Sequence, residues 1–493
     1  MKFLRTLCVL GLALCLATSV YAGTQSVKIS GDITIRSLFR DDYDLDHGHS
    51  EINNVWVPED NSIIRSGTRL SGTSDWDTYF MTTTEVQIDA DLTDNVAGVI
   101  RIYNQRDWNT VQETTRRTFT PSTNEFDIGL DLAYIELKEF LYSPLTLRIG
   151  RQDLWFGKGF VIGANRRDYN NNINAKEYTC ANSFDAIRAT LDYDPWTIDG
   201  IAAKIWENNI GSKDDMDIYG VNIGYVFDAY NAEGEGYWFY KNDASTYPTE
   251  YDNDHNTVHT MGLRGSADPI ENWTVAAEGA YQFGTYVGSV SQRERRKRSA
   301  WAFDLSGECR HFAQMFAWKP IIALEYIYYS GDKKDDPNSR SVGTYQGWDP
   351  MFRGKYDSAI REWYGTYYMS AQGYNTWLAT GNNAEDSSTN QHQLIVAGSI
   401  QPTDSLTMDA RYLAFWQAER RTYDISGWPA AGTTDFEKRT QYAGSEFDLE
   451  LTWDYTEDVS FGLLAACFFP GAMYAKGSKD VATDIVGSVK LSF

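Results

Sequence analysis

The feature that most restricts the fold of this chain is a hydrophobicity period of two residues, repeated in many segments of strand length. One such segment alternates without a break, in the order Glu446, Phe447, Asp448, Leu449, Glu450, Leu451, Thr452, Trp453, Asp454 and Tyr455. Successive side chains of a β-strand point to opposite faces, so one face here is apolar and the other carries four carboxylates. Because ionised carboxylates are costly to bury in a dry core, this strand must lie between an apolar medium and water.

Segments with this alternation run along most of the chain, and they predict an all-β fold of about 18 strands. Single-chain bacterial outer-membrane barrels close with an even number of strands. After the first residues, no stretch approaches the about 20 apolar residues of a membrane helix. The predicted strands are 27–40, 78–92, 96–107, 127–141, 145–152, 183–194, 197–206, 217–228, 234–243, 257–267, 272–284, 299–309, 319–330, 391–401, 405–417, 444–455, 458–468 and 481–493.

The links between these strands give an independent test. Short links such as 93–95 and 456–457 follow even-numbered strands, and long links follow odd-numbered ones. A barrel with both chain ends in the periplasm has this arrangement, because its periplasmic turns are short and its outer loops are long. In a soluble β-sandwich, the all-β alternative, the strands share one core and the links show no such alternation. We therefore expect a single transmembrane antiparallel β-barrel in the cell outer membrane.

The two ends of the chain agree with this location. Lys2 and Arg5 precede an apolar run at 7–17 and a small-residue cleavage site ending at Ala22, which is the pattern of a secretory signal peptide. We expect residues 1–22 to be a signal peptide and residues 23–493 to form the barrel as one domain. The last strand alternates up to Phe493, and an aromatic C-terminus is typical of chains that the barrel assembly machinery recognises.

Charge and motifs exclude several other functions. The formal net charge of −24 argues against nucleic acid as a partner, since the phosphate backbone attracts basic proteins. The sequence has no metalloprotease histidine pair, no serine nucleophile elbow and no phosphate-binding glycine loop. We expect no enzymatic activity, no cofactor and no metal. The expected partners are outer-membrane lipid, lipopolysaccharide, the assembly machinery and a hydrophilic solute.

If the apolar face of each strand meets lipid, the opposite face lines the lumen. That face carries seven arginines, namely Arg36, Arg40, Arg101, Arg148, Arg188, Arg264 and Arg411. A guanidinium can donate two parallel hydrogen bonds to a carboxylate and stays charged at any working pH. The arginines therefore either bind an anionic solute or pair with carboxylates that hold the wall rigid. The carboxylates predicted to share the lumen are Asp32, Glu85, Asp89, Asp304, Asp409 and Glu450.

Two outer-loop features also bear on passage through the pore. The longest loop, 331–390, either folds inward as a constriction or covers the mouth, because a loop of this length normally signals function. The densest basic cluster comprises Arg293, Arg295, Arg296, Lys297 and Arg298. We expect this cluster to be solvated or to contact lipopolysaccharide phosphates, and the alternative is that it gathers a polyanion at the mouth.

Three groups of motifs remain. The first combines 147–152 with 155–157 and 183–188, and its defining residues are Gly150, Arg151, Gln152, Phe184 and Asp185. The second combines a Ser-Gly-Asp element, formed by Ser330, Gly331 and Asp332, with residues 348–352. The third combines 444–449 with 468–471. Together these stretches resemble the alginate export family of outer-membrane porins.

The resemblance implies a monomeric barrel of about 18 strands with an arginine-rich lumen. In the best-understood members this barrel exports the polyuronate alginate. We therefore predict a channel for a hydrophilic, anionic solute, with an alginate-like polysaccharide as the candidate. The alternatives are a general or sugar-specific diffusion porin for small solutes, and a non-conducting enzymatic or adhesive barrel. We also predict that strands five and six bring Arg148, Arg151 and Arg188 together with Asp185 in one structural unit.

Overall fold

The computed structural model shows one closed antiparallel barrel of eighteen strands. The signal peptide predicted for residues 1–22 lies outside the described residues. The structure describes residues 26–42, 76–108, 128–142, 144–164, 183–207, 215–244, 255–287, 295–332, 343–363, 389–419, 422–424, 436–438, 441–472 and 480–493.

The strands are numbered here in chain order. The first nine are β1 (Ser26–Asp41), β2 (Trp76–Thr93), β3 (Val96–Asp107), β4 (Gly129–Leu137), β5 (Leu145–Gln152), β6 (Phe184–Tyr193), β7 (Trp196–Trp206), β8 (Met216–Phe227) and β9 (Ala232–Asp243). The others are β10 (Asn256–Ile270), β11 (Trp273–Val287), β12 (Arg295–Cys309), β13 (Ile321–Tyr329), β14 (Gln391–Thr403), β15 (Leu406–Gln417), β16 (Tyr442–Asp454), β17 (Val459–Pro470) and β18 (Ala482–Ser492). Each strand pairs with the next, and β1 pairs with β18, which closes the barrel.

The period-two prediction is confirmed for the whole barrel, and the main difference is at β4. The predicted strand 127–141 ends at Leu137 in the structure, and a 3-10 turn follows at Phe140–Tyr142. The apolar pattern continues through these residues, but Glu139, Leu141 and Tyr142 have positive φ angles, which turn the chain out of the sheet. A second 3-10 turn, His311–Gln314, makes the link after β12 longer than the other links after even-numbered strands.

The outer surface of the barrel is apolar, as the alternation predicts. Exposed aliphatic side chains such as Ile149 on β5, Ile187 on β6 and Leu263 on β10 point outward. Above them, aromatic rings stack from strand to strand, with 4.5 Å between the centroids of Tyr240 and His259 and 4.8 Å between those of His259 and Phe283. Aromatic belts of this kind flank the apolar band of outer-membrane barrels. Among the described residues, no helix has the length and hydropathy needed to cross a membrane.

The largest hydrophobic cluster lies inside the barrel. Two outer-loop segments fold inward, and we call 153–164, after β5, the first inner segment and 343–363, after β13, the second inner segment. They meet at a parallel bridge between Ile162 and Phe352, where Gly163 N donates to Phe352 O at 2.7 Å. The rings of Phe160 and Trp348 lie 6.2 Å apart and are almost fully buried. For the described part of the 331–390 loop, the inward arrangement is therefore the one found.

Candidate functional site

The second inner segment is fixed to the wall first at Asp349. Its carboxylate lies 2.5 Å from Lys241 Nζ on β9 and 3.6 Å from Arg298 Nη2 on β12. The backbone of Asp349 also exchanges two hydrogen bonds with the Gln282 side chain, both of 2.8 Å. Burial would raise the pKa of Asp349, but the two cations outweigh burial and hold the pKa at about 2. This carboxylate therefore stays ionised and keeps the segment on β9–β12.

A second attachment point is Glu446 on β16, whose side chain is fully buried. Ser358 Oγ donates to Glu446 Oε2 at 2.8 Å, Ile360 N donates to Oε1 at 2.7 Å, and Arg361 N donates to Oε2 at 2.8 Å. One carboxylate thus satisfies three donors of a turn that would otherwise lack partners inside the barrel. Glu446 is the first residue of the alternating segment 446–455, whose polar face is predicted to meet water. In the structure its carboxyl group binds a loop instead.

The turn is closed internally by an ion pair between Arg353 and Glu362, which are 2.6 Å apart and almost fully buried. Glu362 also accepts hydrogen bonds from the backbone N–H groups of Asp357, at 2.6 Å, and Ser358, at 3.1 Å. Burial would raise the pKa of Glu362, but the Arg353 guanidinium and these backbone donors lower the pKa below its ordinary value. The segment therefore has its own polar core as well as its contacts with the wall.

Both inner segments reach the same two wall carboxylates, Asp304 on β12 and Glu325 on β13. Lys158 Nζ lies 3.5 Å from Glu325 and 4.0 Å from Asp304, and Lys355 Nζ lies 3.2 Å from Asp304 and also pairs with Glu325. Burial would lower the pKa of Lys355, but Asp357, Glu325 and Asp304 raise it. Asp304, predicted as a lumen carboxylate, therefore pairs with loop lysines rather than with one of the predicted arginines.

The Ser-Gly-Asp element after β13 holds the start of the second inner segment. Ser330 Oγ donates to Gln346 O at 2.7 Å, and Gln346 N donates to Asp332 Oδ1 at 2.9 Å. Gly331 lies against Asn390, and a Cβ at this position would collide with the Asn390 side chain. The element therefore requires glycine for close packing and uses its two polar neighbours to position the loop.

The basic cluster at the start of β12 is divided between the two faces of the wall. Arg295 and Lys297 are exposed, whereas Arg296 and Arg298 are buried in the lumen. Arg296 Nη1 lies 2.8 Å from Asp332, so it helps to hold the Ser-Gly-Asp element. The prediction that the whole cluster is solvated is wrong for these two arginines, because strand alternation sends every second residue inward. Arg293 lies outside the described residues.

Arginine faces solvent in a different part of the lumen. Arg148 on β5 and Arg188 on β6 lie directly opposite each other in the strand register. Arg148 Nη2 lies 2.6 Å from Glu136, and Arg188 Nε lies 2.8 Å from Asp199. In both pairs the cation is the more exposed partner, with side-chain exposures of 31% against 15% and of 24% against 5%. The guanidinium groups thus lie between the acids and the water of the lumen.

Arg101 on β3 continues this arrangement. It pairs with Asp131, whose carboxylate is buried and also accepts a 2.8 Å hydrogen bond from Ser183 Oγ. Arg101 Nη2 lies 3.4 Å from Asp153 at the start of the first inner segment. The Arg101 side chain is 25% exposed and that of Asp131 is 1% exposed. Arg101, Arg148 and Arg188 together are called the arginine row below.

The other predicted lumen arginines are placed differently. Arg264 on β10 lies 2.7 Å from Glu233 and 2.5 Å from Glu235, and here the acids are the more exposed partners. Arg40 on β1 lies 3.6 Å from Asp484 on β18, and both side chains are almost fully buried. These two arginines join neighbouring strands and offer little surface to a solute.

Arg36 and Arg411 complete the predicted set. Arg36 Nη1 donates to Thr83 Oγ1 at 3.2 Å, and Arg411 lies opposite Asp448 in the register of β15 and β16. The strands place both arginines on the interior face. Six of the seven predicted arginines follow or precede an exposed, outward-pointing residue, namely Ile35, Ile100, Ile149, Ile187, Leu263 or Tyr412.

The predicted unit on strands five and six is split between two faces, so the prediction that its arginines meet Asp185 is wrong for Arg148 and Arg188. Arg151 Nη1 lies 3.6 Å from Asp185, whose side chain is 66% exposed. These two residues have the same parity as the outward-pointing Ile149 and lie outside the barrel, whereas Arg148 and Arg188 point inward. Strand residues whose positions differ by an odd number point to opposite faces. The positions differ by three in each of the two strands, so the four charges cannot meet.

The remaining motif residues shape the base of the first inner segment. Gln152 is fully buried, and its Nε2 donates to Ala186 O at 2.9 Å and to Arg148 O at 3.1 Å. Phe184 is also buried and packs edge-on against Phe352 of the second inner segment, with 5.6 Å between centroids. Gly150 has a φ angle of +124°, which disfavours other residues. These residues are therefore structural.

Sequence reasoning missed the first inner segment. The alternation of links predicts an outer loop for Lys158 and Phe160, but the run from Leu154 to Phe160 is rich in aromatic and glycine residues. Solvated loops contain few buried aromatic side chains, so this composition is a signal that the segment packs against something. The wall beneath it is lined by small residues, which leaves room for a second layer; they include Ala280, Ala300 and Ala302.

An antiparallel barrel with an apolar outer surface, aromatic belts and inward-folded outer loops is the architecture of an outer-membrane channel. The family model for alginate export matches residues 60–488. The chain belongs to the alginate export family and is located in the outer membrane. The comparison with curated proteins gives no significant match.

Solved structures support the same fold. OpdO of Pseudomonas aeruginosa has a TM-score of 0.51 and 10% sequence identity, and the match covers 96% of this chain and 98% of that one. OccAB4 of Acinetobacter baumannii has a TM-score of 0.51 and 10% identity, with 96% and 100% covered. OpdQ of Pseudomonas aeruginosa has a TM-score of 0.50 and 10% identity, with 96% and 99% covered. At this identity the likeness shows the fold alone.

Proposed function

We propose that this channel passes a hydrophilic, anionic solute, and that the solute is a carboxylated oligosaccharide or polysaccharide of the alginate type. The observation that carries the proposal is the direct opposition of Arg148 and Arg188, each more exposed than its own acid partner. The family supplies the polyuronate as the candidate. The arginine row supplies the chemistry that would recognise its carboxylates.

Like charges directly opposite each other are unfavourable in a sheet, so the pairing of Arg148 with Arg188 requires an explanation. Cross-strand neighbours of the same charge destabilise strand pairing. Glu136 and Asp199 compensate Arg148 and Arg188 from the more buried side. A guanidinium has five N–H donors, and one carboxylate partner uses at most part of them. Donors that face the lumen can therefore bind a passing carboxylate bidentately.

The paired acids also keep the binding weak enough for transport. A solute held by a bare arginine cluster would leave slowly, whereas conduction needs binding that is favourable and still reversible. Glu136, Asp131 and Asp199 lower the net charge of the arginine row, and each is less exposed than the arginine with which it pairs. The row can thus attract carboxylates and release them in turn.

A general or sugar-specific porin is the second candidate, and exposed lumen carboxylates favour it. The side chain of Asp153 is 58% exposed and that of Glu233 is 46% exposed. Fixed negative charge of this kind repels polyuronates and attracts cations. The balance between these two carboxylates and the arginine row decides between the candidates, and it can be measured.

The test uses the full-length protein in planar bilayers with a tetramer of mannuronate and with maltotetraose as blockers. We expect the uronate to block more strongly, and we expect salt to weaken this block because the Debye length falls from about 10 Å at 0.1 M to about 3 Å at 1 M. The double variant Arg148→Gln, Arg188→Gln should weaken the uronate block by about tenfold or more, the equivalent of one charge-assisted hydrogen bond.

The matched control is Lys319→Gln, which removes one positive charge from an exposed turn at the periplasmic end. It should leave the uronate block unchanged. Equal block of the parent channel by the two tetramers would favour a general or sugar-specific porin. A purified, folded protein that never conducts would favour an enzymatic or adhesive barrel.

A further inference from the structure

One large aromatic side chain of the lumen is left uncovered. Trp155 of the first inner segment is 50% exposed, whereas its neighbours Leu154 and Phe156 are buried. The segment alternates at this point, so Asp153 and Trp155 face the solvent and the two apolar neighbours face the wall. An exposed indole inside a channel is costly to hydrate, and it therefore calls for an explanation.

The indole packs against three glycines of the two inner segments, Gly159, Gly163 and Gly354, which we call the glycine bed. A Cβ at Gly159 would lie 2.5 Å from the Trp155 ring, a Cβ at Gly163 would lie 2.8 Å from it, and one at Gly354 would lie 2.6 Å from it. All three distances are too short for a real side chain, so glycine is needed for the ring to approach both inner segments this closely. The indole is thereby packed on backbone, and half of the side chain stays exposed.

The polar atom of the ring is already used. Trp155 Nε1 donates to Gly157 O at 3.0 Å within the same segment. A ligand therefore meets an apolar, preorganised ring face and not a hydrogen-bond donor. A pyranose ring fits such a face, because the C–H bonds on one side of the sugar form an apolar patch that packs on aromatic rings.

The surroundings of Trp155 match an acidic sugar. The next residue, Phe156, lies beneath Arg188, whose guanidinium carbon is 5.2 Å from the Phe156 ring centroid. On the other side, Asp153 lies 3.4 Å from Arg101. In the chain, Trp155 therefore lies between two residues that each contact a member of the arginine row. Sugar sites commonly combine an apolar platform with a few polar groups that fix orientation.

We infer that Trp155 is a stacking platform for the pyranose rings of the transported oligosaccharide, with the arginine row binding the carboxylates of the same chain. This inference rests on the proposed function for the carboxylates, but stacking itself applies equally to neutral sugars. It assigns Trp155 to solute binding, and it assigns Gly159, Gly163 and Gly354 to supporting the platform.

The experiment measures the residence time of single blocking events in planar bilayers for Trp155→Leu and Trp155→Phe. Leucine keeps an apolar side chain on the glycine bed but removes the flat ring, so the residence times of both maltotetraose and the mannuronate tetramer should fall about tenfold. Phenylalanine keeps a smaller ring, and the residence times should fall about threefold. The reversal potential in a salt gradient should not change in either variant, because no charge is removed.

The outcomes separate this inference from the proposed function. Unchanged residence times in Trp155→Leu overturn the platform, and so does a parent channel that neither tetramer blocks. If the two tetramers block the parent channel equally, the proposed anion preference is wrong. A shorter maltotetraose residence time in Trp155→Leu would still support the platform in that case. If the leucine variant does not reach the heat-modifiable folded form, Trp155→Phe carries the test.

Discussion

Two regions of the lumen use charged side chains in opposite ways. In the arginine row on β3–β6, each cation is more exposed than its acid partner on the barrel wall, which is Asp131, Glu136 or Asp199. On the wall formed by β9–β13 and β16, which we call the anchoring wall, the side chains of Lys241, Asp304 and Glu446 are buried against the inner segments. Both regions look alike in sequence, since each is a set of polar residues alternating with apolar ones.

The comparison of the arginine row with the anchoring wall shows that a charged side chain facing the lumen need not bind solute. A buried ion pair loses the hydration of both partners, and its geometry must be kept by several hydrogen bonds. A partly exposed guanidinium keeps donors free for exchange with water or solute. We therefore expect substitutions on the anchoring wall to change the size of the pore, and substitutions in the arginine row to change its selectivity.

The largest effect is expected for Glu446→Ala on the anchoring wall. The change leaves three donors of the second inner segment without their acceptor, at a cost of about 3 kcal/mol or more. The segment should detach, and the single-channel conductance should rise severalfold with more current noise. Glu308→Ala is the control, because that carboxylate is 42% exposed and lies at the C-terminal end of β12, next to the 3-10 turn His311–Gln314. Unchanged conductance in Glu446→Ala would show that the inner segment does not limit the pore.

A smaller effect is expected from pH at Asp349. Burial would raise the pKa of this carboxyl, but Lys241 and Arg298 hold it at about 2, below its ordinary value of 3.8. A carboxyl with a lowered pKa contributes stability that is complete above the ordinary value and is lost as the pH falls through about 2. Conductance should therefore be constant between about pH 7 and about pH 5 as far as this anchor is concerned.

The variant Asp349→Asn should produce the detached state already at neutral pH, because it leaves two buried cations without their carboxylate. Conductance of this variant and of the parent is compared at both pH values. A parent channel that behaves at about pH 5 as Asp349→Asn does at about pH 7 would contradict the assigned role of the ion pair.

The smallest effect is expected outside the lumen, for Asp185→Asn. The Arg151–Asp185 pair spans 3.6 Å, and the Asp185 side chain is 66% exposed. An exposed pair of this kind contributes less than about 1 kcal/mol. Folding yield, conductance and block by uronate should stay close to those of the parent. A clear loss of anion preference would mean that these two residues act on the pore after all.

The strands could be predicted from sequence because the period of two reports directly on the two environments of each wall segment. The interior placement of Arg36, Arg101 and Arg188 follows from the same rule. The outward placement of Arg151 was also accessible, since Ile149 has the same parity and points outward. The prediction is wrong there because residues close in the chain need not lie on the same face of a strand.

The pairing of charges could not be predicted, because it depends on register and on the inner segments. Arg148 and Arg188 are opposite each other only in the register that the barrel adopts. Asp304 binds Lys158 and Lys355, which approach from two separate loops. Such contacts join residues far apart in the chain, and no local pattern encodes them.

Exposure decides which arginines act on the solute, and the reversal potential in a potassium chloride gradient measures this. The parent is compared with the double variant Arg148→Gln, Arg188→Gln and with Arg264→Gln, because the Arg264 side chain is only 11% exposed. We predict an anion-selective parent, a double variant that loses the anion preference, and an Arg264→Gln variant that retains it. A cation-selective parent, or an equal loss in Arg264→Gln and the double variant, would contradict the claim.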